Sequence, residues 1–382
     1  MGRNPAQRSK LERLWQREPS WGGALAMVPL RIAGALFRGS VAARNLWWRR
    51  MARSADVPLI SVGNLTVGGN GKTPFTLFLA SRLQNRGLRV AIASRGYSGS
   101  RSVSAASLVA DRGELKDPPE ESGDEPAMMS RRFSGPIAVA RRRLNAIATL
   151  ARQGPLDVVI LDDGFQHTRL KRDLDLVLVS DERGFGNRRT LPAGPMREPL
   201  AALKRADAIV IVSFGSDHRS AIRAGEMELL RHHRVFHARL RPRGLVASVQ
   251  GQWHESAPLL AGRRVIAVSG LANPATFHSM VREIDGDLVG VLEYPDHHAY
   301  TWADWQTIAA AARAADAVIT TEKDLIKLER FPFARDSLYA LRLEVSIPEE
   351  ELKTLDDLIF SRLRAPGKIE SAAAQEVSDN AR

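Results

Sequence analysis

The chain has 382 residues and a mass of 42.0 kDa, enough for two ordinary domains that each bury a core. It contains no cysteine, which excludes disulfides, thiolate metal sites and cysteine nucleophiles, so any metal must be held by oxygen or imidazole. A formal net charge of +12 and a pI near 10.5 indicate an acidic partner: nucleic acid, an anionic membrane or a phosphorylated substrate.

The N-terminal region, residues 1–55, predicts an amphipathic helix. Glu12 and Glu18 break the charged-then-apolar order of a secretory signal, so we expect a cytoplasmic protein. Residues 21–37 are the most apolar stretch, but they are few for a membrane span and contain a proline and an arginine. Their large apolar side chains recur at helical spacing, and arginines accompany them. The helix lies in a membrane interface or packs on the next domain; a spanning helix is the remaining alternative.

From Val57 onwards, short apolar β-rich runs alternate with helical patterns, which is typical of an α/β fold with a parallel sheet covered on both faces. We predict a P-loop NTPase-like domain over residues 56–240, a smaller C-terminal α/β domain with a closing segment over residues 241–362, and a disordered tail over residues 363–382. Residues 98–126, rich in Ser, Gly, Pro and acid, form a long insertion that compact domains seldom carry without a function.

A glycine-rich stretch, "SVGNLTVGGNGKTPF" at residues 61–75, raises the question of a phosphate site. Its end matches the motif G-x-x-x-x-G-K-[ST], but Thr66 stands where the first glycine belongs. The stretch follows a predicted strand and precedes a predicted helix, so its backbone N–H groups can surround phosphates. Lys72 would neutralise the β- and γ-phosphate oxygens, and the Thr73 hydroxyl would hold Mg²⁺. The expected nucleotide-binding residues are Gly68, Gly69, Asn70, Gly71, Lys72 and Thr73.

A second acidic signal is "DVVILDDGFQH" at residues 157–167, in which Asp162 and Asp163 end an apolar run. In phosphate-loop proteins an acidic residue at the end of a second strand reaches the magnesium ion. We therefore predict that Asp162, Asp163 or both hold Mg²⁺ together with Thr73; a cap on the following turn is the alternative for Asp163.

Further polar clusters lie at predicted strand ends, where open α/β sheets bind ligands. They are "SRGY" at 94–97, "GDEP" at 123–126, "PAGPMREP" at 192–199 and "YPDHHAY" at 294–300. Together with the glycine loop, "LDDGFQH", "RDLDLVLV" and "TTEKDLIKL", their order and spacing resembles the tetraacyldisaccharide 4′-kinase family of lipid A biosynthesis over about residues 22–362. In that family the loop carries a serine or threonine where Thr66 stands, so the departure is part of the likeness.

The resemblance implies that ATP and Mg²⁺ serve transfer of the γ-phosphate to the 4′-hydroxyl of an acylated glucosamine disaccharide 1-phosphate, giving a lipid IVA-type product. It implies a peripheral or monotopic enzyme at an anionic membrane surface, on the cytoplasmic face of the inner membrane, with no nucleic acid and no obligate protein partner. By the matching motifs, Asp124 of "GDEP" is the implied catalytic base and His297 of the "DH" pair its partner, beside the catalytic Lys72. The adjacent His298 stays open as an alternative to His297.

Arg95 and Arg197 belong to family-like motifs and are expected to bind the substrate phosphate or the transferring group, because a guanidinium forks well onto phosphate oxygens. Arg141, Arg142 and Arg143 begin a predicted helix, and one of them, by its spacing from Asp162 first of all Arg143, is expected to do the same. A solvated basic helix start is the equal alternative.

Two other functions compete with the kinase. A nucleotide-dependent, membrane-associated P-loop switch ATPase would suit the loop and the amphipathic helix, but such ATPases usually have a lysine before the paired glycines, where Val67 stands. The net charge favours a nucleic-acid-binding ATPase, but the sequence contains no recognition motif or aromatic-basic platform for one.

Overall fold

The computed structural model describes residue 15 and residues 28–96, 106–111, 114–117, 119–215, 220–249, 252–256, 260–333 and 337–363. The first part of the apolar N-terminal stretch and the predicted disordered tail beyond residue 363 lie outside the described residues.

One sheet of 14 strands runs through the described chain. Its strands are β1 Leu59–Asn64, β2 Val90–Ser94, β3 Ser107–Asp111, β4 Glu114–Leu115, β5 Ile137–Val139, β6 Val158–Asp162, β7 Leu174–Ser180, β8 Ala208–Phe214, β9 Arg234–Val249, β10 Gln252–Ser256, β11 Arg264–Ser269, β12 Asp287–Glu293, β13 Ala317–Thr321 and β14 Leu338–Ser346. Their order is β12-β11-β13-β14-β9-β8-β7-β1-β6-β2-β5-β3-β4, with β10 paired to β9. Most pairs are parallel, and antiparallel pairs occur at β3–β4, β3–β5, β9–β10 and β9–β14.

Helices cover both faces of this sheet, which confirms the predicted fold class. They are α1 Val28–Arg50, α2 Lys72–Asn85, α3 Pro119–Ser122, α4 Asp124–Ser130, α5 Arg143–Ala151, α6 Ala224–Leu230, α7 Pro274–Glu283, α8 Trp302–Ala312, α9 Glu322–Leu328 and α10 Glu349–Leu363, with a 3₁₀ turn at Leu200–Arg205. The whole of β1 is buried, because a parallel strand covered on both sides has no exposed face. Its Ile60 and Val62 pack with α2 and α10 on one face, and its Leu59 packs with α5 on the other.

The carboxyl ends of β1, β6, β2 and β5 meet at one edge of the sheet. The register pairs Val62 with Asp162 and Ala93 with Leu161, so these parallel strands end at about the same level. The glycine loop follows β1, the aspartate pair ends β6, Arg95 follows β2, and Arg143 begins the helix after β5. Topology therefore brings these predicted site residues to the same edge.

Strand β9 belongs to both of the predicted α/β units. Its residues 234–240 pair with β8, and its residues 239–247 pair with β14. The predicted boundary at 240/241 thus falls where the strand passes from one set of hydrogen bonds to the other, and the sheet is continuous across it. Helix α10 returns to the first unit, where Asp356 accepts hydrogen bonds from Arg82 at 2.6 and 2.7 Å.

Helix α1 exposes an apolar face. At about 100° per residue, Val28, Ile32, Leu36, Leu46 and Trp47 lie within an arc of about 100°. All five side chains are exposed, Leu36 at 71% and Trp47 at 67%. The helix continues to Arg50, so it is longer than the apolar stretch that predicted it and includes the arginines that follow.

The opposite side of α1 packs on the first unit. Gly34, Val41 and Asn45 are buried, and the Asn45 side chain donates to Glu198 at 2.9 Å. A Cβ on Gly34 would lie 3.2 Å from the Ala193 Cβ, so the close approach of helix and loop favours glycine there. The exposed apolar face fits the interpretation as a membrane-interface helix, and the buried face fits the interpretation as a helix packed on the next domain. Of the helices in the described ranges, none combines the length and the hydropathy that a membrane crossing needs.

Candidate active site

The glycine loop connects β1 to the start of α2 at Lys72. Gly68 and Gly71 have φ angles of 103° and 71°, a region that glycine enters without steric cost. A Cβ on Gly71 would come within 2.9 Å of Leu240 Cδ1, so a side chain there would displace Leu240. The loop has the strand-loop-helix context of a phosphate site; nucleotide binding by residues 68–73 stays a prediction.

Thr66 replaces the first motif glycine and braces the loop from inside. It is buried, and its Oγ1 accepts a hydrogen bond from Asn70 Nδ2 at 3.1 Å. Asn64 Nδ2 donates to the Thr66 carbonyl at 2.7 Å. Because the side-chain amide of Asn70 is turned into the loop, a contact of Asn70 with nucleotide would use its backbone.

The segment 190–197 is fastened to the same loop and positions Arg197. The Arg197 N–H donates to the Leu65 carbonyl at 2.7 Å, and the Val67 N–H donates to the Pro195 carbonyl at 2.9 Å. Arg197 Nη1 in turn donates to Asp163 Oδ2 at 2.8 Å, and Lys72 Nζ lies 3.6 Å from Asp163 Oδ1. Burial alone would raise the pKa of Asp163, but the charges of Lys72 and Arg197 outweigh it and lower the pKa to about 2.

Asp162 has a different environment from its neighbour. It is buried, and its carboxylate accepts hydrogen bonds from the Thr76 and Ser94 hydroxyls, each at 3.3 Å. Burial, with the negative charges of Glu125 and Asp163, raises its pKa to about 7, against the opposing effect of Lys72 and Arg143. A carboxylate in this setting is stabilised by an added cation.

Arg143 is buried at the start of α5 and bonds main-chain oxygens. Its Nη2 donates to the Asp162 carbonyl at 2.8 Å and its Nη1 to the Ala140 carbonyl at 3.2 Å. Arg141 and Arg142 are exposed, as in a solvated helix start, but Arg143 is not, and its described contacts hold the end of β6. Arg95 by contrast is exposed at the end of β2. Substrate binding by Arg95, Arg143 and Arg197 stays a prediction.

Asp124 and His297, far apart in the sequence, come together in the structure. Asp124 is the first residue of α4, and His297 lies in the loop between β12 and α8. His297 Nδ1 lies 3.7 Å from Asp124 Oδ2, and Lys327 Nζ lies 3.2 Å from the same oxygen. Burial would raise the pKa of Asp124, but the neighbouring His297 and the charges of Lys327 and Lys323 hold it below its ordinary value.

The two adjacent histidines point to different partners. His298 Nε2 lies 3.0 Å from Asp304 Oδ2, and its ring stacks on Tyr294 with centroids 4.8 Å apart. His297 has a φ of 58°, in the left-handed region, which turns it away from its neighbour and toward Asp124. Of the two histidines, His297 is thus the one that faces Asp124, a choice that the sequence left open.

A cavity of about 1510 Å³ connects these elements. The predicted site residues that line it are Gly68, Gly69, Asn70, Gly71, Lys72, Thr73, Arg95, Arg143, Asp162, Asp163, Arg197 and His297. Asp124 joins them through its contact with His297. The cavity therefore places a phosphate-type loop, a carboxylate pair and a histidine–aspartate pair around one space.

Comparison of the chain with known proteins identifies the family to which it belongs. The family model for tetraacyldisaccharide-1-P 4′-kinase matches residues 26–360. A tetraacyldisaccharide 4′-kinase of Anaeromyxobacter sp. (strain K) is 38% identical over 367 residues, which cover 94% of this chain and 95% of that protein. One from Aeromonas hydrophila subsp. hydrophila is 35% identical over 370 residues, 95% of this chain and 98% of that protein. The chain belongs to the tetraacyldisaccharide 4′-kinase family.

A solved structure agrees with the sequence matches. LpxK from Aquifex aeolicus, in complex with ATP, superposes with a TM-score of 0.70 at 30% identity and covers 89% of this chain and 99% of that one. The predicted assignment to a kinase of lipid A biosynthesis is therefore confirmed, as is the P-loop NTPase-like fold.

Four charged residues of this kinase were not singled out by the sequence. Lys323 and Lys327 lie one turn apart on α9, and their spacing within "TTEKDLIKL" was the available signal. Glu125, the second acid of "GDEP", acts on Asp162. The guanidinium of Arg183 occupies the place that a Cβ on Gly68 would need, and no motif pointed to it.

Proposed function

We propose that this kinase transfers the γ-phosphoryl group of ATP to the 4′-hydroxyl of a tetraacyl glucosamine disaccharide 1-phosphate. The proposal is supported chiefly by the contact between Asp124 and His297. His297 lines the same cavity as the phosphate-type loop. A sugar hydroxyl is a poor nucleophile, so a carboxylate placed beside the loop supplies the proton acceptor that the reaction needs.

In the proposed reaction the 4′-oxygen forms a bond to the γ-phosphorus while the bond from that phosphorus to the β-phosphate bridging oxygen breaks. The hydroxyl proton passes to the Asp124 carboxylate, and ADP leaves. The lowered pKa of Asp124 keeps it ionised at neutral pH, and His297 orients it. Lys72 and the loop N–H groups bind the β- and γ-phosphates, and Arg95 and Arg197 bind phosphate oxygens as they gain charge.

The residues at the end of β6 fit Mg²⁺. Mg²⁺ is usually held by one or two carboxylates together with substrate phosphates and water, rather than by an all-protein cage. The described residues contain no group of three or more His, Asp or Glu side chains that would form such a cage. The pKa of Asp162 is raised, and a bound cation would lower it again by stabilising the carboxylate. The negative charge of Asp163 is already paired with Lys72 and Arg197. We therefore propose Asp162 and Thr73 as the main ligands and Asp163 as a lesser one; the bound ion would supply charge stabilisation to the transferring phosphoryl group.

We further propose that the kinase works at an anionic membrane surface, on the cytoplasmic face of the inner membrane. The exposed apolar face of α1 supports this, since acyl chains are held in a bilayer by about 0.8 kcal/mol per methylene and the enzyme must go to them. Arginines of α1 add attraction to anionic lipid of about 1 kcal/mol each near the surface.

Incubation with γ-labelled ATP and the acylated disaccharide 1-phosphate in detergent tests the function. We expect a new labelled glycolipid and ATP turnover that depends on the acceptor. Lys72→Ala should abolish the product, because it removes a charge that the departing phosphoryl group needs. ATP hydrolysis that is indifferent to the acceptor would instead support a switch ATPase.

A further inference from the structure

Lys327 contacts Asp124 of the proposed catalytic pair and the backbone of His298, the residue that follows the other member. It lies on α9, and its side chain is only 10% exposed. Its ammonium group lies 3.2 Å from Asp124 Oδ2 and 3.3 Å from Asp324 Oδ1, and it donates to the His298 carbonyl at 2.9 Å. An ammonium has three protons, and three acceptor oxygens lie within 3.3 Å of this one.

We propose that Lys327 is a positioning residue for phosphoryl transfer: it holds the Asp124 carboxylate and the His297 turn in one geometry. The inference rests on the proposed function of Asp124 as the base and deepens it. Lys327 is not among the residues that line the cavity, so it acts through the Asp124 carboxylate and through the backbone next to His297.

Its effect on Asp124 is direct. The carboxylate is faced by His297 from the β12–α8 loop and by Lys327 and Lys323 from α9, and Glu125 follows it in α4. Lys327 contacts the carboxylate oxygen that also faces His297, so the lysine fixes which oxygen the imidazole meets.

Its effect on His297 runs through the backbone. His297 has a positive φ, which a non-glycine residue adopts only when its surroundings hold it there. The next residue is fastened on both sides, since the His298 N–H donates to the Pro295 carbonyl at 3.0 Å and the His298 carbonyl accepts from Lys327. Lys323 holds Asp296 at 3.0 Å on the other side of His297. Helix α9 therefore braces the turn before and after the histidine.

If Lys327 only paired the charge of the buried Asp324, its contacts with Asp124 and with the His298 carbonyl would have no explanation. Asp324 Oδ2 already accepts hydrogen bonds from the Gly270 N–H at 2.9 Å and from Thr321 Oγ1 at 2.8 Å. Asp324 is thus held by its own neighbours, and it serves as a fixed point that keeps the ammonium group in place.

The test compares kcat and KM of Lys327→Met, Lys327→Arg and Asp124→Asn, with Lys353→Met as the matched control. Lys353 is an exposed lysine of α10 whose partner is Glu349, so its loss should leave both constants unchanged. Lys327→Met removes the charge and the donors but keeps the length. We expect it to lower kcat about ten- to hundredfold, with KM for ATP within about twofold of wild type, because a displaced base affects the transition state more than binding.

Two further results separate positioning from a general loss of structure. Lys327→Arg, which restores a cation, should recover part of the lost kcat. In the Asp124→Asn background, Lys327→Met should cost little more, because the residue it positions is already lost. Melting temperatures check that each variant folds; if Lys327→Met does not, Lys327→Gln takes its place in the same comparisons.

An unchanged kcat in Lys327→Met would overturn the inference, as would a full additional loss in the Asp124→Asn background. These outcomes differ from failure of the proposed function. Near-normal kcat in Asp124→Asn would refute the assignment of Asp124 as the base, and with it the proposed function of that residue. An inactive Asp124→Asn together with a normal Lys327→Met would support Asp124 as the base and refute only the positioning role of Lys327.

Discussion

Two carboxylates in the site, the half-buried Asp124 and the buried Asp162, have opposite electrostatic environments. Asp124 is surrounded by His297, Lys327 and Lys323, which lower its pKa, whereas burial and the charges of Glu125 and Asp163 raise the pKa of Asp162 to about 7. Such separation of pKa values often marks a division of tasks within one site. It agrees with a proton-accepting role for Asp124 and a cation-binding role for Asp162.

Replacing Asp124 by Asn should lower kcat by roughly two or more orders of magnitude with a much smaller change in KM, since a base acts in the transition state. His297→Ala should fall in the same class, because its imidazole contacts the same carboxylate. The double variant should be little worse than the worse single one. Steady-state kinetics of the four proteins check this; losses that multiply would show that the two residues act independently.

His167 should make stability depend on pH. Its pKa is lowered to about 4 by burial and by nearby arginines, Arg143 first among them. Between the unfolded value near 6.5 and about 4, the unfolded chain binds a proton that the folded chain does not, so stability falls as the pH falls through this window. At pH 4.5 His167→Gln should lose less of its pH 7 stability than wild type does, by about 2 kcal/mol. Urea unfolding at both pH values measures the difference; parallel losses would refute it.

Helix α1 combines a packed side with an exposed apolar side, so one element both attaches to the domain and presents a surface. The buried Asn45 is hydrogen-bonded to Glu198, which also pairs with Arg205 at 2.8 Å. Near the other end, Thr190 Oγ1 donates to the Gly34 carbonyl at 2.9 Å. Because these contacts leave the apolar arc untouched, the two functions of the helix can be separated by mutation.

Ile32→Glu with Leu36→Glu should weaken binding to anionic vesicles by about tenfold or more, because two exposed apolar side chains become negative charges. Turnover of membrane-embedded substrate should fall with it, while ATP binding survives. Sedimentation with vesicles and nucleotide titration measure both. Leu229→Glu with Val289→Glu adds the same charges at exposed apolar sites elsewhere and should keep vesicle binding. Equal effects of the two pairs would contradict an interface specific to α1.

The continuous sheet makes the two α/β units depend on each other. Strand β9 is shared between them, and α10 from the end of the described chain returns to α2 through the Arg82–Asp356 pair. The proposed catalytic pair also needs both units, because Asp124 lies in the first and His297 in the second. Moving one unit relative to the other would change the distance between the two residues.

We therefore expect unfolding in urea to be a single transition. Tryptophan fluorescence, which includes Trp48 of α1 beside Arg169 of the first unit and Trp305 in the second, should change at the same urea concentration as far-ultraviolet circular dichroism. Asp356→Ala should shift both midpoints together. Two separated transitions would show that the units fold independently in spite of the shared strand.

The sequence by itself determined the fold class, the phosphate-type loop and the family. These are encoded locally: buried parallel strands read as apolar runs, and a loop between strand and helix carries its own glycine spacing. Asp124 and His297 were also named from motifs, but only by likeness to a family, since nothing local relates residues so far apart in the chain.

Only the tertiary structure decided how those residues are held. The motif preferred His297 but left the adjacent His298 open, and the difference between their contacts follows from the positive φ of His297 and from the packing of His298 on Tyr294 and Asp304. The sequence left open whether Arg143 is solvated, and the structure buries it because the start of α5 places its guanidinium against the carbonyl that ends β6. Lys327 contacts Asp124 because α9 lies against α4. These helices are far apart in the chain, and hydrophobic periodicity does not specify which distant elements pack together.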